Sequence, residues 1–273
     1  MSRPKNLEIA VNELTIAVHV NTALILRNHA PVKILVPVSG GKDSQACLKA
    51  AIEAHGANSV LGLFCDTKFE HPDTYAHVDF VANLYGVQIA KVSTGSVLQE
   101  SIRWGRFPGG GSRHCTDYLK INLTRLFCKF LAAAQGGFEV WYGIRMGEST
   151  DRARRYSARF DDTLYEPHEI MPKKYPKYLG KMGVRFRLPV LNWSTKDVIS
   201  FLDGNEHPHY AFGIDRVGCF PCLAASDNVK RRAFEFDAFG AKQYRMVRIV
   251  AEQIGKPVFN RSEDSLGCEV CKI

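Results

Sequence analysis

Residues 33–44 read KILVPVSGGKDS, and this stretch decides the fold. Its first six residues form a short apolar run with β-branched side chains, which is typical of a buried strand. A glycine pair follows, and residues 43–55 then place apolar side chains at helical spacing up to Gly56. The sequence therefore predicts a strand, a tight loop and a helix in direct succession.

The loop over residues 39–44 has the composition of a phosphate-binding loop. Two glycines let the backbone approach a ligand, and the amides at a helix N-terminus point toward an anion. The serine hydroxyls and Lys42 add further donors. Its spacing matches neither the GxxxxGK[ST] pattern of kinase-type phosphate loops nor the GxGxxG pattern of dinucleotide-binding folds. A glycine turn with a solvated lysine is the simpler alternative.

Strands and helices continue to alternate outward from this loop. An amphipathic first helix is predicted between Leu7 and Leu26. Further strands are predicted over residues 60–65, 87–92, 138–144 and 186–191, and further helices over residues 72–85, 96–104, 118–134, 195–202 and 229–254. Such alternation is typical of a parallel sheet. Residues 160–185 lack clear periodicity, and we expect them to become ordered when a ligand binds.

Composition places the chain among ordinary globular proteins. It has 273 residues, 45% hydrophobic and 23% charged, with a net charge of +8. No apolar run approaches the ~18 residues of a membrane span, and the first residues do not resemble a signal peptide. We therefore expect a cytosolic protein without a membrane partner, and the basic charge is compatible with a polyanionic partner.

The eight cysteines include two CxxC pairs, Cys219/Cys222 and Cys268/Cys271. In a reducing compartment such pairs more often hold a metal or perform thiol chemistry than form disulfides. The first pair needs further ligands, and Cys115 is the natural third, with Cys268 or Cys271 as a fourth. An iron-sulfur cluster and a zinc site both remain open.

The other cysteines and the histidines receive no role in the chemistry. Cys47 lies on an apolar helical face, Cys65 and Cys128 lie in apolar runs, and all three are interpreted as core residues. We assign no function to the histidines at positions 71, 114, 168, 207 and 209, because single loop histidines usually lie at the surface.

The SGGxDS pattern at residues 39–44 resembles the signature of the PP-loop ATP pyrophosphatase superfamily. Further segments are similar to those of its phosphoadenosine phosphosulfate (PAPS) reductase family, in the same order. They are DTKFEHPDTY (66–75), RHCTDYLK (113–120), GIRMGESTDR (143–152) and LPVLNWSTKDV (188–198). The family pattern has glycine where this chain has Lys68. The resemblance covers about residues 33–222.

This resemblance implies an open, mostly parallel five-stranded sheet with helices on both faces. Residues 1–215 would form the nucleotide-binding α/β domain, including the N-terminal helix. Residues 216–273 would form a helical extension with the cysteines. The nucleotide would bind at the carboxyl ends of the strands, which agrees with the general position of ligand sites in open α/β sheets.

Site residues follow from the same resemblance. The expected nucleotide-binding residues are Ser39, Gly40, Gly41, Lys42, Asp43, Ser44, Asp66, Thr67 and Gly143. The expected catalytic residues are Lys42, Asp43, Arg145, Arg152, Cys268 and Cys271. Arg145 and Arg152 would face the anionic group, because a guanidinium pairs bidentately with phosphate or sulfate oxygens. Arg154, Arg155 and Arg159 are as easily a solvated basic surface.

The metal site departs from the reductase pattern. Reductases for adenosine phosphosulfate (APS) hold a [4Fe-4S] cluster with two adjacent cysteines and a later CxxC, whereas Thr116 here follows Cys115. Three ligands, Cys115, Cys219 and Cys222, would leave one iron open to sulfide. The chain also ends in GCEVCKI where the reductases have an ECGLH-type tail.

These departures favour the DNA-phosphorothioation and phage-encoded branch of the family. The expected function is ATP-dependent sulfur transfer by adenylation of an acceptor, with ATP, Mg²⁺ and a [4Fe-4S] cluster as cofactors and pyrophosphate as a product. DNA or RNA is the expected acceptor, docked in part by the basic residues 173–187, and a cysteine desulfurase is the expected sulfur donor. The alternatives are an APS or PAPS reductase and a nucleotide-binding module with structural zinc.

Overall fold

The computed structural model describes residues 31–109, 112–156 and 160–259, and these contain a five-stranded sheet. The strands are β1 (Ile34–Val38), β2 (Val60–Asp66), β3 (Gln88–Ser93), β4 (Glu139–Trp141) and β5 (Arg185–Arg187). Their order is β3-β2-β1-β4-β5, and every neighbouring pair is parallel. The predicted α/β class is therefore confirmed, and the sheet is parallel throughout.

Ten helices accompany the sheet within the described residues. They are α1 (Lys42–His55), α2 (Pro72–Tyr85), α3 (Val97–Trp104), α4 (Asn122–Gln135), α5 (Thr150–Tyr156), α6 (Pro167–Ile170), α7 (Tyr178–Lys181), α8 (Thr195–Leu202), α9 (Asp227–Phe234) and α10 (Ala238–Ile254). A single turn (His114–Thr116) and a π-helical turn (Asp117–Ile121) lead directly into α4.

Alternate residues of the strands build two separate cores, because successive side chains of a strand point to opposite faces. On one face, Leu35 of β1 packs in a cluster with Leu123 and Phe127 of α4. On the other face, Ile34 and its alternate neighbours in β1 pack against α1, α2 and α8. Helices therefore cover both faces, and β1, in the middle, is buried on both.

The order of the strands fixes where a ligand can bind. β2 lies on one side of β1 and β4 on the other, so the connections leave β1 and β4 in opposite directions. A crevice forms at the carboxyl ends of two such strands, and ligands of open α/β sheets bind there. The loop over residues 39–44 follows β1 and Gly143 follows β4, so both reach this crevice.

A third cluster joins the C-terminal helices to the sheet domain. Val247 and Val250 of α10 pack with Phe234 of α9, Leu98 of α3 and Leu119. Cys115 and Cys219 lie against the same cluster. The C-terminal helices therefore pack beside the predicted metal ligands.

Two sequence predictions need correction, and a third concerns residues that the structure does not describe. Residues 229–254 are not one helix, because Asp237 adopts an extended backbone and caps α10 by accepting the Gly240 amide at 2.7 Å. Residues 160–185 need no ligand to pack, since Tyr175 and Leu179 are fully buried in the core. The predicted N-terminal helix lies outside the described residues.

None of the helices in the described part of the chain is both long and apolar enough to cross a membrane.

A row of buried histidines joins α2 to the segment before the CxxC pair. The rings of His77 and His207 lie 4.9 Å apart, those of His207 and His209 4.5 Å, and those of His209 and His71 4.5 Å, measured between centroids. Each of these side chains is at most 5% exposed. Their expected surface position was therefore wrong for His71, His207 and His209. His114 is buried as well.

This row should make the fold sensitive to acid. Burial lowers the pKa of His77 to about 4, and burial with neighbouring imidazoles lowers the pKa of His207 to about 3. Below pH 6.5 the unfolded chain binds protons at both rings, whereas the folded chain does not, so the free energy of unfolding falls as the pH drops. We expect urea unfolding midpoints to decrease steadily from pH 7 to pH 5.

In His77→Gln this decrease should be smaller than in the wild type. His168→Gln is the control, because His168 lies outside the row. Equal pH profiles for the wild type and His77→Gln would show that His77 is not held neutral by the fold.

Candidate functional site

The phosphate-binding loop is closed by its own side chains. Ser44 Oγ donates to the Gly41 carbonyl at 2.9 Å and accepts from the Ser39 amide at 3.1 Å. Gly40 has a φ of 79°, and a Cβ there would lie 2.6 Å from the Thr74 methyl. A left-handed backbone and this close approach both require glycine. The loop therefore has a fixed shape before any ligand binds.

Tyr210 covers the start of α1. Its hydroxyl accepts from the Lys42 amide at 3.1 Å, and the Lys42 ammonium lies 5.0 Å from the centre of its ring. Burial raises the pKa of Tyr210 to about 12, so the hydroxyl is neutral at physiological pH. Tyr210 thus occupies one amide of the helix N-terminus and holds the lysine at the loop.

A cavity of about 270 Å³ lies at the crevice, and we call it the nucleotide cavity. It brings together residues from the phosphate loop, the arginine-rich segment and the cysteine pattern. The predicted site residues in its wall are Ser39, Gly41, Lys42, Asp43, Ser44, Thr67, Gly143, Arg152, Cys115, Cys219 and Cys222. The described residues Gly40, Asp66 and Arg145 were also predicted, but they do not line it.

Gly143 allows the loop after β4 to touch the phosphate loop. A Cβ at this position would lie 2.6 Å from the Asp43 carbonyl oxygen and 2.8 Å from the Ser44 Cα. Both contacts involve backbone atoms, which have little room to move. Any larger residue at position 143 would therefore push β4 away from the start of α1.

Arg145 does not face the cavity, contrary to the sequence prediction. Its side chain is 2% exposed, and its Nε donates to Asp43 Oδ1 at 2.7 Å. Its other nitrogens donate to the Trp193 carbonyl at 3.1 Å and the Thr195 hydroxyl at 3.3 Å. All three nitrogens of the Arg145 guanidinium contact protein atoms. Arg145 therefore positions the Asp43 carboxylate and does not orient the acceptor substrate.

Asp66 is also engaged within the protein. It accepts from the Lys68 amide and the Tyr75 hydroxyl, both at 2.7 Å, and its second oxygen lies 2.5 Å from the Lys68 ammonium. Burial acts to raise the pKa of Asp66, but these hydrogen bonds hold it below its ordinary value. Lys68 has a φ of 54°, which explains why the resembling family pattern has glycine at this position.

Three arginines surround the nucleotide cavity: Arg113, Arg152 and Arg216. Burial lowers the pKa of Arg152, and the positive charges of Arg216 and Arg113 lower it further. Arg152 also pairs with Glu148. Guanidinium groups pair bidentately with phosphate or sulfate oxygens, so this group is suited to a polyphosphate or sulfate.

Cys219 is fixed to the end of β2. The backbone of Cys219 pairs with that of Glu70 in an antiparallel bridge, and the Phe220 amide donates to the Phe69 carbonyl at 2.7 Å. Its sulfur lies 3.3 Å from the Thr67 hydroxyl. Burial raises the pKa of Cys219 to about 11 and that of Cys115 above its ordinary value. Without a bound metal, both thiols are protonated at neutral pH.

Lys120 lies beside these thiols. Burial acts to lower its pKa, but the ionisable side chains of Cys219 and Glu70 nearby raise it above the ordinary value. The ammonium is therefore a permanent positive charge in the wall of the nucleotide cavity. It favours anionic sulfur or a bound anion nearby.

Cys115, Cys219 and Cys222 are not among the described ligand atoms that lie within 4.8 Å of one another. Sulfur ligands of a single tetrahedral zinc lie about 3.8 Å apart, given Zn–S distances of about 2.3 Å. Yet the only group of three or more Cys, His, Asp or Glu in the described residues with all ligand atoms within 4.8 Å of one another is His71, Asp73 and His209. Three thiols in the wall of one cavity are a donor set that suits either an iron-sulfur cluster or zinc.

The group of His71, Asp73 and His209 is better explained by hydrogen bonds than by a metal. His71 Nδ1 accepts from the Asp73 amide at 3.1 Å, and its Nε2 lies 2.9 Å from an Asp237 oxygen. His209 Nε2 lies 2.8 Å from an Asp73 oxygen. These contacts cap α2 and tie it to α10.

Four cavity or supporting residues were missed at the sequence level: Lys120, Tyr210, Arg216 and Glu70. Lys120 and Glu70 do lie in the quoted family segments, so a closer comparison could have found them. Tyr210 and Arg216 lie within the 12 residues before Cys222. Arg216 could have been recognised as a basic residue close to the CxxC pair, whereas Tyr210 carries no such signal. Cys268, Cys271 and Arg159 lie outside the described residues.

Comparison with known protein families agrees with this geometry. The family model of the phosphoadenosine phosphosulfate reductase domain matches residues 33–225. This range contains β1 to β5, the phosphate loop and all three cysteines of the nucleotide cavity.

Three curated relatives are similar to the chain. An uncharacterized protein of Methanocaldococcus jannaschii is 27% identical over 81% of this chain and 42% of its own length, so the chain spans less than half of that relative. An uncharacterized 37.8 kDa protein of Escherichia phage 186 is 25% identical over 70% of this chain and 67% of its own length. The adenosine 5'-phosphosulfate reductase of Rhodococcus erythropolis is 24% identical over 64% of this chain and 62% of its own length.

Solved structures resemble the chain more distantly. The PAPS reductase of Candida auris aligns with a TM-score of 0.45 at 15% identity, over 81% of this chain and 97% of that one. The U34-tRNA thiolase NcsA of Methanococcus maripaludis, solved with its [4Fe-4S] cluster, also aligns with a TM-score of 0.45 at 15% identity, over 97% of this chain and 87% of that one.

Replacing Arg145 with methionine should destabilise the fold. The change leaves the Asp43 carboxylate without its buried partner, which costs about 3 kcal/mol of unfolding free energy. Arg248→Met is the matched control, because Arg248 forms an exposed pair with Glu252 whose loss costs less than about 1 kcal/mol. Urea unfolding measures both. If Arg145→Met keeps wild-type stability and loses only nucleotide binding, Arg145 faces the ligand and our interpretation is wrong.

Proposed function

The chain belongs to the phosphoadenosine phosphosulfate reductase domain family, and from this premise we propose that it is an ATP-dependent sulfur transferase that adenylates a nucleic-acid acceptor. One observation carries the proposal: a single cavity combines a phosphate loop, three arginines and three thiols. Phosphate chemistry and sulfur chemistry can therefore meet on one substrate.

The phosphate end of the cavity suits ATP. Amides of the loop, the Lys42 ammonium and the arginines Arg113, Arg152 and Arg216 supply more positive charge than one phosphate requires. Together with Mg²⁺, they would stabilise the charge that develops on departing pyrophosphate. Lys42 contributes most directly, because Tyr210 holds its side chain beside the loop.

The proposed reaction exchanges one oxygen of the acceptor for sulfur. An acceptor oxygen attacks the α-phosphorus of ATP, the bond to pyrophosphate breaks, and the acceptor becomes an adenylate. Sulfide then bonds to the atom that bears this oxygen, and AMP leaves with the oxygen. Sulfide is already fully reduced, so the exchange needs neither an oxidant nor a reductant.

Cys115, Cys219 and Cys222 would hold a [4Fe-4S] cluster. When bound, such a cluster supplies an iron site that accepts sulfide, since three cysteines leave one iron without a protein ligand. The protein contributes the position: Thr67 and the Glu70 bridge fix Cys219 at the end of β2. Lys120 adds positive charge near the incoming sulfide.

The acceptor is proposed to be DNA or RNA, with a cysteine desulfurase as the source of sulfur. A net charge of +8 favours a polyanion. Thr116 replaces the second of the two adjacent cysteines of APS reductases, so only three cysteines remain to bind the cluster. This three-ligand arrangement favours sulfur transfer over reduction of APS or PAPS. An APS or PAPS reductase is the competing function, and a relative of that activity is 24% identical.

Formation of AMP tests the proposal directly. Anaerobic protein with ATP, Mg²⁺, sulfide and mixed oligonucleotides should release AMP and pyrophosphate, which chromatography separates. Lys42→Ala should lower kcat/KM about 100-fold, the usual effect of losing one transition-state donor. Lys242→Ala, an exposed lysine of α10, is the matched control. Sulfite released from APS or PAPS by a thiol, with no AMP from ATP, would establish the reductase instead.

Metal analysis tests the role of the thiols. Protein purified without oxygen should contain iron and acid-labile sulfide, and both should be lost in Cys115→Ala and Cys219→Ala. Cys47→Ala is the control, because Cys47 is fully buried among apolar residues of α1. Stoichiometric zinc without sulfide would favour a nucleotide-binding module with a structural site.

A further inference from the structure

A second cavity of about 340 Å³ lies against the loop of the CxxC pair, and we call it the outer cavity. It shares part of its wall with the nucleotide cavity. The shared residues are Arg113, Asp215, Arg216, Cys219, Cys222 and Ala224. The proposed adenylation and sulfur transfer use only the nucleotide cavity, so the outer cavity has no role yet.

The part of its wall that is not shared is largely apolar. Ile214, Phe220 and Pro221 come from the loop around the CxxC pair, and Val229 and Ala233 come from α9. Val229 is 38% exposed, although it borders a concave surface. An apolar wall of this kind suits a flat, uncharged ring system, because its burial removes apolar area from water.

The charged side chains of the outer cavity lie at its edges. Arg113 and Arg216 stand where the two cavities meet, and Arg232 stands on α9. Arg232 donates to the Gly213 carbonyl and lies 3.8 Å from Asp215. Three arginines against one aspartate give the lining an excess of positive charge. A ligand with an apolar ring and an anionic group matches this arrangement, and a nucleotide has both.

We propose that the outer cavity binds one nucleotide of a single-stranded acceptor, next to the nucleotide that reacts. Its base lies on the apolar wall, and its phosphate lies at Arg113 and Arg216, where the strand passes toward the thiols. The volume is near the lower end of the range of about 300–1,000 Å³ for small-molecule sites, which suits one nucleotide and excludes a duplex. A base must leave its stack to enter, so the strand is single.

This inference rests on the proposed function for the identity of the acceptor, but its test is independent of catalysis. Fluorescence anisotropy of labelled 12-residue single-stranded DNA and RNA gives oligonucleotide affinity, and calorimetry gives ATP affinity, both on the full chain. Val229→Glu places a negative charge on the apolar wall, and Ala225→Trp fills the cavity from the CxxC loop, because Ala225 also lines it. Ile249→Glu is the matched control, on an exposed position of α10 that is 64% exposed.

We expect the ratio of oligonucleotide affinity to ATP affinity to fall about tenfold in both cavity variants, the size of one lost stacked base. Ile249→Glu should leave it unchanged, and the matching duplex should bind more weakly than the single strand. Thermal unfolding identifies a variant that fails to fold. If one of the two cavity variants is unfolded, the affinity ratio of the other one tests the proposal. A folded variant from either wall that binds the single strand like the wild type overturns the proposal.

Salt dependence tests the phosphate contact separately. Arg216→Gln should reduce the slope of log oligonucleotide affinity against log salt by about 0.7, the value for one phosphate of a single strand, whereas Arg248→Gln should not. An unchanged slope in Arg216→Gln would overturn the placement of the phosphate at Arg216.

The two proposals fail in different ways. Strand binding that depends on Val229 without any AMP formation would retain the outer site and reject adenylation. AMP formation by a wild type that binds no DNA or RNA would reject the outer site and leave adenylation of another acceptor.

Discussion

Everything in the cavities depends on how the CxxC loop is anchored to the end of β2. Glu70 supplies this anchor: its buried carboxylate accepts from the amides of Thr67 and Phe69 and from the Thr67 hydroxyl. Burial raises the pKa of Glu70, and the hydrogen bonds from Thr67 and Phe69 act in the opposite direction. The same residue pairs through its backbone with Cys219, so a strand end and a loop about 150 positions later are held together.

Much of the fold was predictable because it follows from local patterns. The run at residues 34–38 is apolar at every position, as a strand buried on both faces must be, and its place in the centre of the sheet confirms this. The capping residues Ser96 and Ser194 also begin helices where the sequence indicates. The break between α9 and α10 was missed although Asp237 is a residue type that caps helices, and its pair with His71 becomes visible only in the structure.

Side-chain roles were harder to predict than positions. Arg145 has the residue type and spacing of a ligand-binding arginine, and only its tertiary partner Asp43 shows that it is structural. The same holds for the histidines: taken singly, loop histidines look like surface residues, yet His71, His207 and His209 join His77 in a buried row that connects two distant parts of the chain. A pattern within one segment does not record which other segment lies opposite it.

The shared wall between the cavities has a thermodynamic consequence. A ligand in the nucleotide cavity touches the same arginines and the same loop that shape the outer cavity, so the two binding equilibria form one linked system. If the first ligand changes the affinity of the second by some factor, the second changes the affinity of the first by that same factor. The population of the protein that holds both ligands is then set by the two concentrations and the coupling factor, whichever ligand binds first.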